Sequence, residues 1–109
     1  MVQTGDIVIV SFPYTDLVSF KARPAVVVAQ TKDNYNDVIV ALISSVVPAT
    51  VSPYQMVLQP DNINNLRAPS VIKVSRLATV EETKIVAVIG KLSSAQLTTF
   101  KTLFKSLVD

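Results

Sequence analysis

Two neighbouring blocks, Ile85-Val86-Ala87-Val88-Ile89-Gly90-Lys91-Leu92 and Ser93-Ser94-Ala95-Gln96-Leu97-Thr98-Thr99-Phe100-Lys101-Thr102-Leu103-Phe104-Lys105-Ser106-Leu107-Val108, obey different periods. The first is β-branched, apolar and of strand length. In the second, Leu97, Phe100, Leu103, Phe104 and Leu107 fall on one helical stripe. Ser93 with Gln96 three residues on is a capping-box signature, and Leu92 with Leu97 makes the matching hydrophobic staple. The spacing predicts a strand over 85–92 and a helix over 94–108.

Upstream the same strand signals recur. Residues 5–12 (Gly-Asp-Ile-Val-Ile-Val-Ser-Phe) read as a strand closed by Pro13. Residues 25–30 read as a strand buried on both faces, with Pro24 fixing φ at its first residue, where a lost N–H is tolerated. Further strands are expected at 38–44, 54–58 and 70–75. The polar stretches 14–22, 31–37, 46–53 and 59–69 are connections, the last with room for one helical turn at 61–66. Five or six short strands and one terminal helix describe a mainly β fold, a small bent sheet closing on itself as an SH3-like barrel. No linker or repeat interrupts 1–109, so one domain is expected.

Composition narrows the chemistry. The chain contains neither cysteine nor histidine, so thiolate chemistry, disulfides and an imidazole acid–base are excluded. Carboxylates are the strong metal ligands that remain, and the 8 acids are scattered, so no metal or other cofactor is expected. The longest apolar runs are of strand length, far short of a membrane span. Residues 1–5 lack the basic start and apolar stretch of a secretory signal, and the cytoplasm is the expected location. A net charge of +2 is a mild pointer to an anionic partner.

Four pieces stand in a telling order: Gly5-Asp6-Ile7-Val8, Phe12-Pro13-Tyr14-Thr15-Asp16, Arg23-Pro24-Ala25-Val26-Val27-Val28 and Ala41-Leu42-Ile43-Ser44. Ser70-Val71-Ile72-Lys73-Val74-Ser75-Arg76-Leu77-Ala78-Thr79-Val80 and Gly90-Lys91-Leu92 follow. Together, over about residues 5–92, they resemble the PemK/MazF family. The resemblance implies a homodimeric barrel of the CcdB/MazF type, the toxin of a type II toxin–antitoxin system. It further implies sequence-specific, metal-independent cleavage of single-stranded RNA to a 2′,3′-cyclic phosphate and a 5′-hydroxyl. The implied partners are the RNA and a cognate, partly disordered antitoxin, with DNA binding only in its company and no membrane.

Such a cleavage needs a base for the 2′-hydroxyl proton, positive charge for the phosphorane, and an acid for the departing 5′-oxygen. Arg23, held extended by the following proline, reads on its own as a solvated strand-end arginine. By resemblance it matches the family's catalytic arginine, with a fork suited to two phosphate oxygens. Ser44 ends a face formed with Val38, Val40 and Leu42. It either bonds its own turn or, as the family's active-site Ser or Thr, a phosphate. Lys73 shares a face with Val71 and Ser75, opposite Ile72 and Val74. That face is an ordinary solvent face, or, by the resemblance, the place of the family's later active-site pair, in which Lys73 supplies the cation.

Ser75 departs from the pattern, because some family members place an aspartate there and a serine is no base at neutral pH without help. Asp16 is the other candidate base, with a turn role as the alternative. Lys21 and Arg76 fit either contacts to an RNA backbone or ordinary solvated cations, and Tyr14, Phe20 and Tyr54 fit either base stacking or core packing. The recognised RNA sequence is expected to depend on the loops 14–22 and 46–53. Two other functions remain open. A family member that binds RNA or antitoxin without cutting is kept alive by Ser75. A gyrase poison of the CcdB kind is disfavoured because that group ends in a Trp-containing tail and this chain has no Trp.

Overall fold

Ile7, Val26, Val28, Ala41 and Ile43 form one apolar set, and Val8, Val10, Ala25, Val27, Val38 and Val40 form another. Each set comes from alternate residues of the same three strands, so the middle of the sheet is buried on both faces. The computed structural model describes residues 2–13 and 20–109. In it the strands are β1 (Asp6–Pro13), β2 (Phe20–Gln30), β3 (Asp37–Ser44), β4 (Gln55–Leu58), β5 (Ser70–Glu81) and β6 (Ile85–Lys91), followed by helix α1 (Ser94–Ser106).

All pairings are antiparallel, in the order β4-β5-β3-β2-β1-β6. That order and one short connection force the sheet to curl. β5 and β6 are separated by three other strands, about 19 Å across a flat sheet. Only a single 3-10 turn, Glu82–Lys84, joins them. The chain from Glu81 to Ile85 reaches at most about 14 Å. The sheet therefore bends round until the end of β5 meets the start of β6, and Ala78, Val80 and Ile85 close over the second apolar set.

Helix α1 covers the first set. Phe100 is fully enclosed, Leu97, Leu103, Phe104 and Leu107 pack beside it, and the Phe100 and Phe104 rings lie 6.4 Å apart. The capping box is formed in both directions: Gln96 N donates to Ser93 Oγ, and Ser93 N donates to Gln96 Oε1. The helix stops at Ser106, two residues short of the sequence expectation. Leu97 lies over Gly5, whose φ of +93° and lack of a Cβ suit that close approach.

Two expectations about the strands are corrected. Pro24 lies inside β2, opposite Ile9, not at its start. It is tolerated because β3 pairs with β2 only from Ala25 onward, so that edge has no ladder bond to lose there. β5 runs on to Glu81, well beyond the expected 75. It does so by a bulge: Leu42 pairs with Lys73 while Ala41 pairs with Leu77, leaving residues 74–76 out of the ladder with β3.

Among the described residues no helix is long and apolar enough to cross a membrane.

Candidate functional site

β2 and β3 are hydrogen-bonded through the pair Ala25–Leu42 and then part. Arg23 on β2 and Ser44 on β3 each stand two residues beyond that last rung, where a continued ladder would have made them partners. On the far side of β3, Lys73 is the partner of Leu42 and Ser44 the partner of Val71. Lys73 is thus diagonal to Ser44, a separation of roughly 7–8 Å between backbones. A groove of about 1160 Å³ opens here, and Arg23, Ser44, Lys73 and Arg76 all line it. That exceeds the roughly 300–1,000 Å³ usual for a small-molecule pocket and leaves room for a stretch of polymer.

The groove has an unbalanced charge. All three arginines of the chain, Arg23, Arg67 and Arg76, line it, as does Lys73, and no carboxylate does among the described residues. None of these four cations has an ion pair or hydrogen bond among the described residues. The acids Asp37, Glu81 and Glu82 gather instead around a separate smaller hollow. Unpaired cations sharing a concave surface hold an anion.

Ser44 lines the groove and also bonds its own turn. Its Oγ accepts from Val46 N at 3.1 Å, which fixes the turn after β3. That leaves the hydroxyl proton free to donate into the groove.

The apolar side of the groove comes from Ile9, Pro24, Ile43, Leu66 and Ile89. Its far wall is the connection between β4 and β5, and the hydrogen bonds there explain why an irregular segment holds one shape. Asp61 Oδ1 accepts from Ile63 N at 2.8 Å and Asn64 N at 2.7 Å, and Asn65 N donates to Asp61 O at 3.0 Å, one helical turn. Asn64 is fully buried and bonded at both ends of its amide: its Oδ1 accepts from Asp61 N and Leu66 N, and its Nδ2 donates to Gln59 O. The turn is then fastened to β6. Lys91 N donates to Ile63 O at 3.1 Å, and Asn65 Nδ2 donates to Ile89 O at 2.6 Å.

Not every residue singled out in the sequence reaches the groove. Ser75 is exposed and does not line it, because the bulge at 74–76 interrupts the alternation that would have set it beside Lys73. Val71, expected on the same face as Lys73, is fully buried. Lys21 is exposed on β2 and Tyr54 is 38% exposed, both off the lining. Tyr14, Asp16 and the side chain of Phe20 lie outside the described residues. Arg67 and Asn65 are groove residues that the sequence reading passed over. The one available signal was that Arg67 is one of only three arginines, set in an Asn-rich loop.

Residues 3–108 match the family model described as the PemK-like, MazF-like toxin of type II toxin–antitoxin systems. No curated protein matches the chain. Among solved structures, the Mycobacterium tuberculosis toxin MazF-mt6 superposes with a TM-score of 0.73 at 22% identity, over 95% of this chain and 96% of that one. A mycobacterial endoribonuclease in complex with its cognate antitoxin gives 0.74 at 13% identity, over 99% and 95%. Another mycobacterial endoribonuclease gives 0.69 at 11%, over 97% and 90%. At these identities the likeness establishes the shared fold.

Proposed function

This chain belongs to the PemK-like, MazF-like toxins of type II toxin–antitoxin systems, and on that premise we propose that it is an endoribonuclease which cuts single-stranded RNA in the groove between β2, β3 and β5. The observation that carries the reading is the convergence of Arg23, Ser44 and Lys73, from three strands, on one concave surface without a lining carboxylate among the described residues. A phosphodiester is the anion that such a surface fits.

In the proposed reaction the ribose 2′-oxygen attacks the neighbouring phosphorus and the bond from phosphorus to the 5′-oxygen breaks. The products are a 2′,3′-cyclic phosphate and a 5′-hydroxyl, and no water is consumed. Arg23 grips the two non-bridging oxygens in the fork geometry that guanidinium allows, and Ser44 donates its hydroxyl proton to one of them. Lys73 faces the departing oxygen and compensates the charge that grows there, and that oxygen takes from solvent water the proton that completes the 5′-hydroxyl. The proton of the 2′-hydroxyl leaves to solvent hydroxide or to Asp16. Ser75 is assigned no part, being off the lining. Arg76 holds a flanking phosphate. The reaction as written routes no step through a metal ion.

The partners proposed are single-stranded RNA, a cognate antitoxin and a second copy of the chain. The endoribonuclease neighbour that carries its antitoxin supports the second of these. A strand edge supports the third: Val86 and Val88 on the edge strand β6 are 66% and 55% exposed, an apolar border of the kind that pairs with another chain.

A second reading, a family member that binds RNA or antitoxin without cutting, is favoured by one observation, the absence of a carboxylate from the described groove lining. Incubation of purified wild type and Arg23→Ala with mixed-sequence RNA in EDTA separates the two. The nuclease reading expects wild-type cleavage with 5′-hydroxyl ends and a 10²–10³-fold slower variant, the usual cost of one transition-state donor. RNA retained but uncut by wild type supports the binding reading. Equal cleavage by both proteins removes Arg23 from the chemistry.

A further inference from the structure

We propose that the loop between β4 and β5 is the groove's base reader, with Asn65 and Arg67 setting which nucleobase is accepted beside the gripped phosphate. The inference rests on the RNA reading above and adds a specificity element to it.

The groove's lining is of two kinds. Arg23, Lys73 and Arg76 give it a phosphate-binding character, and Pro24, Leu66 and Ile89 give it apolar surface, with Asn65 and Arg67 of the loop lining it as well. Apolar surface together with a few polar groups is what an unstacked base requires, since its faces are apolar and its edges carry donors and acceptors.

The loop is built to be rigid. Asn65 Nδ2 donates to Ile89 O at 2.6 Å, which orients the amide and leaves Oδ1 without a partner among the described residues, a fixed acceptor at the groove. Its backbone sits at φ 54°, a conformation asparagine adopts more readily than most residues. Directly before it, the buried Asn64 locks the turn, and Gly90 lets the loop backbone lie against β6. Arg67 follows two residues later, exposed and unpaired among the described residues. A guanidinium offers paired donors to a base edge or a plane to stack on its face. One fixed acceptor beside these donors discriminates by pattern, whereas a row of cations cannot. Pre-organisation of this kind belongs to recognition rather than to mere connection.

The test uses the intact protein and a randomised single-stranded RNA library, read both for the ends produced and for the sequences retained on the protein. Asn65→Gly removes the amide while keeping the φ, and Arg67→Ala removes the guanidinium. Arg67→Ala is expected to flatten the preference at one nucleotide position by roughly 5- to 150-fold, the range for a lost bidentate base contact, and Asn65→Gly, which removes a single acceptor, by roughly 2- to 13-fold. Neither is expected to change the salt dependence of RNA binding, and circular dichroism melting checks that both remain folded. Arg76→Ala is expected to do the opposite, weakening all sequences alike. If wild type retains RNA without cutting it, the retained sequences still decide the matter and only the nuclease reading falls. Base preferences unchanged in both loop variants would overturn this inference alone. No RNA retained or cut by wild type would overturn both.

Discussion

Gly90→Ala isolates the contact on which the groove's far wall depends. Glycine to alanine in a strand is ordinarily neutral or stabilising, by about 0.4–1 kcal/mol, because the unfolded chain loses freedom. Here a Cβ would run into Ile63 O and stand 2.6 Å from Asn64 O, whereas real Cβ atoms essentially never come within 3.0 Å of such a neighbour. Both atoms are backbone, so no side chain can swing aside. The loop has to lift off β6, straining or breaking the bonds from Lys91 N to Ile63 O and from Asn65 Nδ2 to Ile89 O. Two hydrogen bonds at about 1 kcal/mol each, and overpacking strain of about 1–3 kcal/mol, outweigh the entropic gain. The net expectation is a loss of about 2–4 kcal/mol, or a melting temperature lower by roughly 8–16 °C. Urea unfolding followed by circular dichroism measures it, with the transition midpoint falling and the slope m unchanged. A midpoint equal to or above wild type would refute the reasoning, since it would mean that the loop does not rest on β6.

Three further expectations follow from the same geometry. With Arg23, Lys73 and Arg76 on phosphates, the logarithm of RNA affinity should fall with the logarithm of salt at a slope of about −2. Arg76→Ala should bring that slope nearer zero by about 0.7, and an unchanged slope would take Arg76 off the backbone. If no side chain in the groove serves as base, the cleavage rate should rise about tenfold per pH unit between roughly pH 6 and 9. A flat profile above about pH 5 would instead identify a carboxylate base such as Asp16 and contradict the electrostatic account. Ser93→Ala should cost about 1 kcal/mol in a thermal melt by removing the cap of α1. A melt within error of wild type would show that the capping box adds nothing to the packing of Phe100.

The sequence by itself determined what depends on neighbours along the chain. The Ser93–Gln96 capping box spans three residues, and the stripe from Leu97 to Leu107 is one helical face, so both could be read without knowing the rest. The alternating apolar sets marked the strands for the same reason, because side-chain direction in a strand repeats every two residues. Arg23, Ser44 and Lys73 were singled out on local pattern and family resemblance, and the fold sets all three on one groove.

Only the tertiary structure decided what depends on pairing between distant segments. The bulge at 74–76 appears when β5 has to follow β3 along both halves of a curling sheet, and it removes Ser75 from the face that simple alternation assigned. Pro24 sits mid-strand because β3 turns away from β2 at that point, a fact about another strand. The loop carrying Asn65 and Arg67 read as an irregular connection because its shape comes from bonds to Ile89 and Lys91, some two dozen residues away. Local physics writes helices, strands and caps. Where two strands part and what a loop leans on are set by closure of the whole sheet, and that opening is where the charges meet.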